Sequence, residues 1–172
     1  MLLAIAREAI EQGPAPLDEV RWNEPWLAEP GATFVTLKLD GDLRGCFGSL
    51  EPRRPLGVDV AANARAAAYL DPRFPPVSRD ERRRLQVEVS LLSSAEPIAA
   101  TSEAEALAAL RPGIDGVVLE YGQLRSTFLP QVWESLPDPA EFLGELKRKA
   151  GLPRAFWDPG IRLSRYTVEK FR

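Results

Sequence analysis

The chain has 172 residues, 25 of them Asp or Glu and 22 Lys or Arg, which gives a formal net charge of −3. This length is enough for a well-buried core, and the nearly balanced charge disfavours general binding to polyanions such as nucleic acids. The sequence contains no histidine. Catalysis by Ser–His–Asp or Cys–His groups of this chain alone is therefore excluded, as are the usual histidine-based zinc and iron sites. We expect neither a metal nor a cofactor.

Cysteine usage and hydropathy bear on the compartment. Cys46 is the only cysteine, so no intrachain disulfide can form, and a reducing compartment is expected. The N-terminal segment carries Arg7, Glu8 and Glu11, and therefore lacks the unbroken apolar stretch of a signal peptide. No run approaches the ~20 apolar residues that span a bilayer. These features predict a soluble, cytoplasmic protein without a membrane partner.

The first elements are a helix and an irregular segment. Residues 1–12 have the periodicity of an amphipathic helix, and Gly13-Pro14 ends it. The stretch from Pro16 to Pro30 contains prolines and tryptophans without a clear period, and we expect an irregular but ordered segment there. Its Trp22 and Trp26 are expected to lie in the core, because large aromatic side chains are usually well buried.

A hairpin and an alanine-rich helix come next. Residues 32–39 and 43–50 flank an Asp-Gly turn at 40–42, which predicts an antiparallel pair of strands. Residues 56–70 follow Pro55 and form an alanine-rich helical pattern. Three prolines within DPRFPP, residues 71–76, end that helix.

The second half continues the mixture of helices and strands. We predict a helical turn or loop at 79–84, a strand at 86–93 and a helix at 101–110. A hairpin around Gly122 follows, with strands at 115–121 and 123–128, and then a helix at 139–150 and a last strand at 161–171. Hairpins interspersed with helices favour an α+β fold with a mainly antiparallel sheet. The basic runs at 79–84 and 147–149 contain or follow acidic residues, and we interpret both as solvated helix faces rather than a nucleic-acid site.

Several unusual strings occur in one order along the chain. They are LRGCFGSLEP at 43–52, DPRFPP at 71–76, VEVSLLS at 87–93, FLPQVWESLP at 128–137, FLGELKRKAGLP at 142–153, FW at 156–157 and RY at 165–166. Together they resemble the AMMECR-domain family, called system protein A in the prokaryotic AmmeMemoRadiSam grouping. The resemblance covers residues from about 32 to 171.

The resemblance implies several properties. It implies one compact α+β unit with a larger and a smaller lobe. No flexible linker is apparent in the sequence, so we expect a single domain over residues 1–172. The resemblance also implies a signature hexapeptide with an RGC motif, here LRGCFG at 43–48, in which Phe47 replaces a more usual isoleucine. The family has no agreed biochemical activity. Its prokaryotic members keep company with Memo-type proteins and radical S-adenosylmethionine enzymes, which could supply the metal and the histidines that this chain lacks.

The hexapeptide provides the richest candidate site. Strict strand alternation puts Arg44, Cys46 and Gly48 on one face, with Arg44 and Cys46 roughly 7 Å apart. A guanidinium there would favour the reactive thiolate, while Gly45 and Gly48 would let a ligand approach closely. The alternative is a buried thiol, two close-packing glycines and a structural pair between the arginine and a carboxylate.

Four further residues of the first half are candidates. Asp71 and Arg73 of the DPRF string either lock a turn or bind a ligand, and Asn63, on a partly buried helix face, needs a backbone or ligand partner. Glu88 lies on the opposite strand face from its valine neighbours and could pair with Arg44 or Arg73.

In the second half, Ser126 and Thr127 follow an arginine. Hydroxyls beside a guanidinium suit the binding of an oxyanion, but the same residues on a strand also make ordinary cross-strand contacts.

Three hypotheses of function follow. The first is an accessory protein that binds an anionic small molecule or a partner segment in a cleft lined by the LRGCFG strand and the DPRF turn. The second is a thiol-dependent enzyme that uses Cys46 with Arg44. The third is a purely structural interaction module. No complete catalytic set supports an enzyme directly.

Overall fold

The computed structural model describes residues 1–14 and 24–172. Trp22 and most of the predicted irregular stretch before Pro25 lie outside the described residues. Trp26 is 41% exposed, so its predicted burial is wrong. It belongs to a 3-10 turn at Pro25–Leu27, in which the neighbouring Leu27 is the residue that fills the core.

The chain divides into two compact units, Met1–Leu92 with Glu169–Arg172 and Ser93–Val168. The elements that lie wholly in the first unit are α1 (Leu2–Glu11), β1 (Pro30–Leu39), β2 (Asp42–Gly48), β3 (Arg54–Pro55), α2 (Leu56–Tyr69), α3 (Arg79–Arg82) and β4 (Leu85–Leu92). The second unit contains β5 (Glu96–Pro97), α4 (Glu103–Ala109), β6 (Gly116–Tyr121), β7 (Leu124–Phe128), a 3-10 turn (Pro130–Glu134), α5 (Pro139–Lys149) and β8 (Arg162–Tyr166). The final strand, β9 (Val168–Phe171), joins the sheet of the first unit.

The first unit has a sheet with strand order β2-β1-β4-β9, and β3 pairs with the start of β1. One face of the sheet packs on α1 and α2 through alternate strand residues such as Val35, Leu37 and Val89, all fully buried. Alanines on α2 let the helix come close to β2. A Cβ added at Gly45 would lie 2.1 Å from the carbonyl oxygen of Ala67, so only glycine fits at this position.

The second unit has a four-stranded sheet in the order β5-β8-β6-β7, packed against α4 and α5. The rings of Trp133 and Phe142 stack with centroids 3.7 Å apart. Lys147 is fully buried, and its Nζ contacts the carboxylate of Glu103 at 2.5 Å and the carbonyl of Phe156 at 3.0 Å. The prediction that the run 147–149 is a wholly solvated face is therefore wrong at Lys147, because α4 supplies a carboxylate for its charge.

The predicted α+β class with antiparallel sheets is confirmed. The main departure is at the C-terminal end, where one predicted strand is two strands, β8 and β9, in different sheets. Within residues 1–14 and 24–172, none of the helices has both the length and the apolar character that crossing a bilayer requires.

Candidate anion-binding site

The hexapeptide lies in β2, the edge strand of the first sheet, and a β-bulge interrupts it. Lys38 pairs with Leu43 and Leu37 pairs with Gly45, which leaves Arg44 without a partner in β1. Because a bulge breaks the alternation of side chains, strict alternation no longer places Arg44 and Cys46 on one face. The Cys46 thiol lies 3.5 Å from the Thr36 hydroxyl, on the sheet face opposite the one that packs on α2.

Arg44 instead pairs with α3. Its Nε and Nη2 donate to the Glu81 carboxylate at 2.8 and 3.2 Å, and its side chain is only 11% exposed. The hydrogen bond from Arg44, together with the backbone N–H of Ser78, lowers the pKa of Glu81 from 4.5 to about 2. Nη1 of Arg44 is buried and has no partner among the described residues. The arrangement matches the alternative of a structural pair between an arginine and a carboxylate.

The DPRF turn docks on the edge of β2. The Asp71 carboxylate accepts the N–H of Cys46 at 2.9 Å and holds Arg73 through two contacts, Nε at 2.9 Å and Nη2 at 2.7 Å. These hydrogen bonds, that of Arg73 foremost, hold the pKa of Asp71 far below its usual range. The guanidinium of Arg73 lies 5.5 Å from the ring of Phe74. The predicted strand and turn therefore meet, but the charge of Arg73 is already neutralised.

The two glycines of the hexapeptide face other parts of the protein. Gly45 lies against the backbone of α2, as described above. A Cβ at Gly48 would lie 2.3 Å from the ring of Phe34. The close approach predicted for both glycines is thus made by the protein's own atoms.

Asn63 belongs to a buried polar network around Asp59. Asp59 is fully buried and accepts hydrogen bonds from the N–H and hydroxyl of Thr33, from the Ser49 hydroxyl at 2.5 Å and from Nε of Arg54 at 2.8 Å. Asn63 adds a bond to Asp59 and accepts one from Nη2 of Arg54 at 3.2 Å. The sequence analysis named Asn63 as a candidate but did not name the other members of this network. The spacing of Asp59 and Asn63, four residues apart in an alanine-rich helix, was the available signal.

A concavity of about 290 Å³ opens beside this network. Its polar lining comes from the side chains of Arg54, Asn63, Arg65 and Tyr69, and Phe47 of the hexapeptide contributes an exposed ring. Arg65 donates from Nε to the carbonyl of Gly13 at 3.2 Å and from Nη2 to that of Pro14 at 2.5 Å. Arg54 and Arg65 thus each donate hydrogen bonds from Nε and Nη2.

Glu88 pairs with neither Arg44 nor Arg73. Its partners are Arg172 at 2.6 Å and Lys170 at 3.7 Å, because β9 and the residue after it bring cations beside β4. The proposed pairing is therefore wrong. Glu88 and Arg172, with Arg7 and Lys38, line a second concavity of about 450 Å³.

Ser126 and Thr127 belong to the second unit. The Ser126 hydroxyl donates to the carbonyl of Leu146 at 2.7 Å, and the Thr127 hydroxyl lies 3.2 Å from that of Tyr166. Burial raises the pKa of the Tyr166 phenol, which stays protonated at neutral pH. Both hydroxyls are thus engaged within the protein. Over the described ranges, no group of three or more His, Cys, Asp or Glu side chains is arranged to hold a metal ion.

These features define a small α+β protein of two compact units, with the LRGCFG segment as a bulged edge strand. The AMMECR1 family model matches residues 3–171, and the chain belongs to this family. A protein of Methanothermobacter thermautotrophicus is 38% identical over 179 residues, 99% of this chain and 91% of the relative. A protein of Thermotoga maritima is 43% identical over 157 residues, 90% of this chain and 84% of the relative. The crystal structure of an uncharacterised protein from Pyrococcus horikoshii matches with a TM-score of 0.84 at 35% identity, over 98% of this chain and 88% of that one.

Proposed function

We propose that this protein is an accessory binding protein that holds an anionic small molecule in the concavity lined by Phe47, Arg54, Asn63 and Arg65. The observation that carries the proposal is the guanidinium of Arg65. It is fixed by two carbonyl oxygens, and no carboxylate among the described residues neutralises it. A guanidinium held in place by carbonyl oxygens keeps its positive charge, which is well suited to a carboxylate or phosphate.

The polar wall of the concavity is organised in advance. Nε and Nη2 of Arg54 are held by Asp59, Ser49 and Asn63, of which Asp59 and Asn63 are almost completely buried. A ligand that meets an already ordered side chain does not bear the entropic cost of ordering it. The network around Asp59 therefore favours binding on the Arg54 side of the concavity.

The larger concavity is a weaker candidate. Arg7, Lys38 and Arg172 contribute its cations, and the Arg172 side chain is 71% exposed and paired with Glu88, so its position is set by one surface contact. The cluster of Arg44 and Arg73 is also weaker, since Glu81 and Asp71 neutralise both arginines.

The proposal includes partners and a compartment. An accessory role in the cytoplasm, as one domain that acts with Memo-type and radical S-adenosylmethionine proteins, is consistent with the family resemblance, the single cysteine and the lack of histidine. The concavity could also bind the terminal carboxylate of a partner segment in place of a small anion. Co-purification of the tagged full chain with these two classes of protein tests this part, and their absence from the purified material would contradict it.

The binding itself is tested by mass spectrometry of small molecules that co-purify with the folded protein, followed by titration with those molecules. Arg65→Gln is expected to reduce affinity at least tenfold, and Arg65→Lys to reduce it less because the charge is kept. Arg79→Gln is the matched control, since Arg79 is an exposed arginine of α3 in the same unit. Equal affinity of the Arg65→Gln and Arg79→Gln variants, with intact folds by circular dichroism, would overturn the proposal. If the protein binds no anion at all, the hypothesis of a purely structural interaction module remains.

A further inference from the structure

We infer that the ligand of this concavity is a monocarboxylate with a flat apolar body. The inference rests on the proposed function and adds the chemical class of the ligand. Two observations carry it, the charge that the lining leaves unbalanced and the shape of the α2 surface that forms the floor.

The charge balance favours one negative charge. Two guanidiniums line the concavity, and the carboxylate of Asp59 directly behind them accepts from Arg54 at 2.8 Å. Among the described residues, no carboxylate pairs with Arg65, so one positive charge remains on this part of the lining. A carboxylate matches it, whereas the dianion of a phosphate monoester would bring a second negative charge close to the buried Asp59, where like charges repel.

The floor is made of small side chains. Ala62 and Ala66 lie four residues apart on α2 and therefore share one face of the helix. The lining also includes the aromatic side chains of Phe47 and Tyr69, and Leu70 at the end of the helix is 69% exposed. A flat hydrocarbon group that lies on the alanines would cover this apolar surface, which contributes about 25 cal/mol for each Å² removed from water.

Along α2, the polar lining residues Asn63 and Arg65 come before Tyr69 and Leu70. Asn63 and Leu70 are seven residues apart, which corresponds to about 10 Å along the helix axis. The carboxylate would therefore bind near Asn63, Arg54 and Arg65, and the apolar body would extend toward Leu70. The volume of about 290 Å³ lies below the range of about 300–1,000 Å³ that is typical of sites for drug-sized ligands, so the molecule is small.

The test is a titration of the full chain, followed by amide chemical shifts, with four probes of similar size. These are phenylacetate, its neutral amide phenylacetamide, phenyl phosphate and inorganic phosphate. Phenylacetate is expected to bind at least tenfold more tightly than each of the others and to shift the amides of α2 around Ala62 and Ala66.

Two variants locate the binding. Ala62→Leu places a larger side chain on the floor at a half-buried position and is expected to reduce the affinity for phenylacetate at least tenfold. Val58→Leu is the control, because Val58 is an exposed residue of the same helix outside the concavity. Arg65→Gln provides a second variant that does not alter the floor.

The outcomes separate the inference from the proposed function. If phenyl phosphate or inorganic phosphate binds more tightly than phenylacetate, and Arg65→Gln abolishes that binding, the inference of a monocarboxylate ligand is wrong. The proposal of an anion-binding site would still hold. Equal binding of phenylacetate and phenylacetamide would overturn the role assigned to the charge. Both proposals fail if neither Ala62→Leu nor Arg65→Gln changes the affinity for any anionic probe or for any anion that co-purifies.

Discussion

The carboxylate of Asp71 accepts the backbone N–H of Cys46 at 2.9 Å, and this bond ties the DPRF turn to the edge of β2. An edge strand presents unpaired backbone groups that invite association with other chains. Asp71 satisfies one of these groups from within the same molecule, and Arg73 fixes the carboxylate in place. The turn that follows α2 thus protects the strand that carries the hexapeptide.

Replacing Asp71 should destabilise the first unit. Asp71→Asn removes the charge that holds Arg73 and weakens the bond to Cys46, and we expect a loss of about 1–3 kcal/mol, typical of a buried hydrogen bond to a charged group. Urea denaturation at pH 7 measures it. Asp80→Asn, at an exposed carboxylate of α3, is the control and should stay within about 0.5 kcal/mol of the wild type.

The two glycines of the hexapeptide should differ in their tolerance of a methyl group. In Gly45→Ala the new Cβ would meet a backbone oxygen of α2, whereas in Gly48→Ala it would meet the side-chain ring of Phe34. A helix backbone moves less readily than a side chain. Thermal denaturation should therefore show the larger loss for Gly45→Ala, of the order of 3 kcal/mol or more, and an equal loss in the two variants would contradict the packing described for α2.

Acid should weaken the contact between Arg44 and Glu81. The pKa of Glu81 is lowered in the folded state from 4.5 to about 2, so its stabilising effect is fully present above pH 4.5 and is lost as the pH falls toward 2. Glu81→Gln should be less stable than the wild type by about 1–2 kcal/mol at pH 7, a modest value because the carboxylate is partly solvated. The difference should shrink between pH 4.5 and 2.

Denaturation in urea at a series of pH values measures this difference. Glu169→Gln is the control, since its side chain is exposed and Arg44 pairs with Glu81 instead. A difference between the wild type and Glu81→Gln that stays constant down to pH 2 would show that Glu81 does not stabilise the fold through its charge.

The thiol should not take part in ligand binding. Cys46 lies on the sheet face opposite α2, whereas the concavity lies along α2, so Cys46→Ser should bind the co-purified anion or phenylacetate within about twofold of the wild type. Calorimetric titration measures this. A loss of binding as large as that in Arg65→Gln would instead support the hypothesis of a thiol-dependent site.

Local patterns predicted most elements of this fold. The alternation of residues 32–39, the Asp-Gly turn and the alanine-rich segment after Pro55 each correspond to an observed element. Their signals are local, since they arise from residues within one strand, turn or helix. The LRGCFG strand and the DPRF turn are in contact through Cys46 and Asp71, and the hypothesis of a cleft between them rested on the cluster of arginines and glycines rather than on periodicity.

The errors arose where distant residues decide the outcome. Strand alternation cannot reveal a bulge at Arg44, because the register depends on β1 and on the attraction of Glu81, 37 residues away. The local sequence around Lys147 is typical of an exposed lysine. Its burial depends on the carboxylate of Glu103, which lies 44 residues earlier in the sequence. The anchoring of Arg65 by the carbonyls of Gly13 and Pro14 left no trace in either local segment.

The placement of β9 affects how the chain can fold during synthesis. The outer strand next to β4 comes from residues after 167, so the whole second unit is translated before the first sheet can be completed. Until then the flank of β4 stays open to other nascent chains, which is a known route to misassembly. A ribosome-bound fragment that stops after Leu92 would therefore depend on chaperones more than the complete chain does.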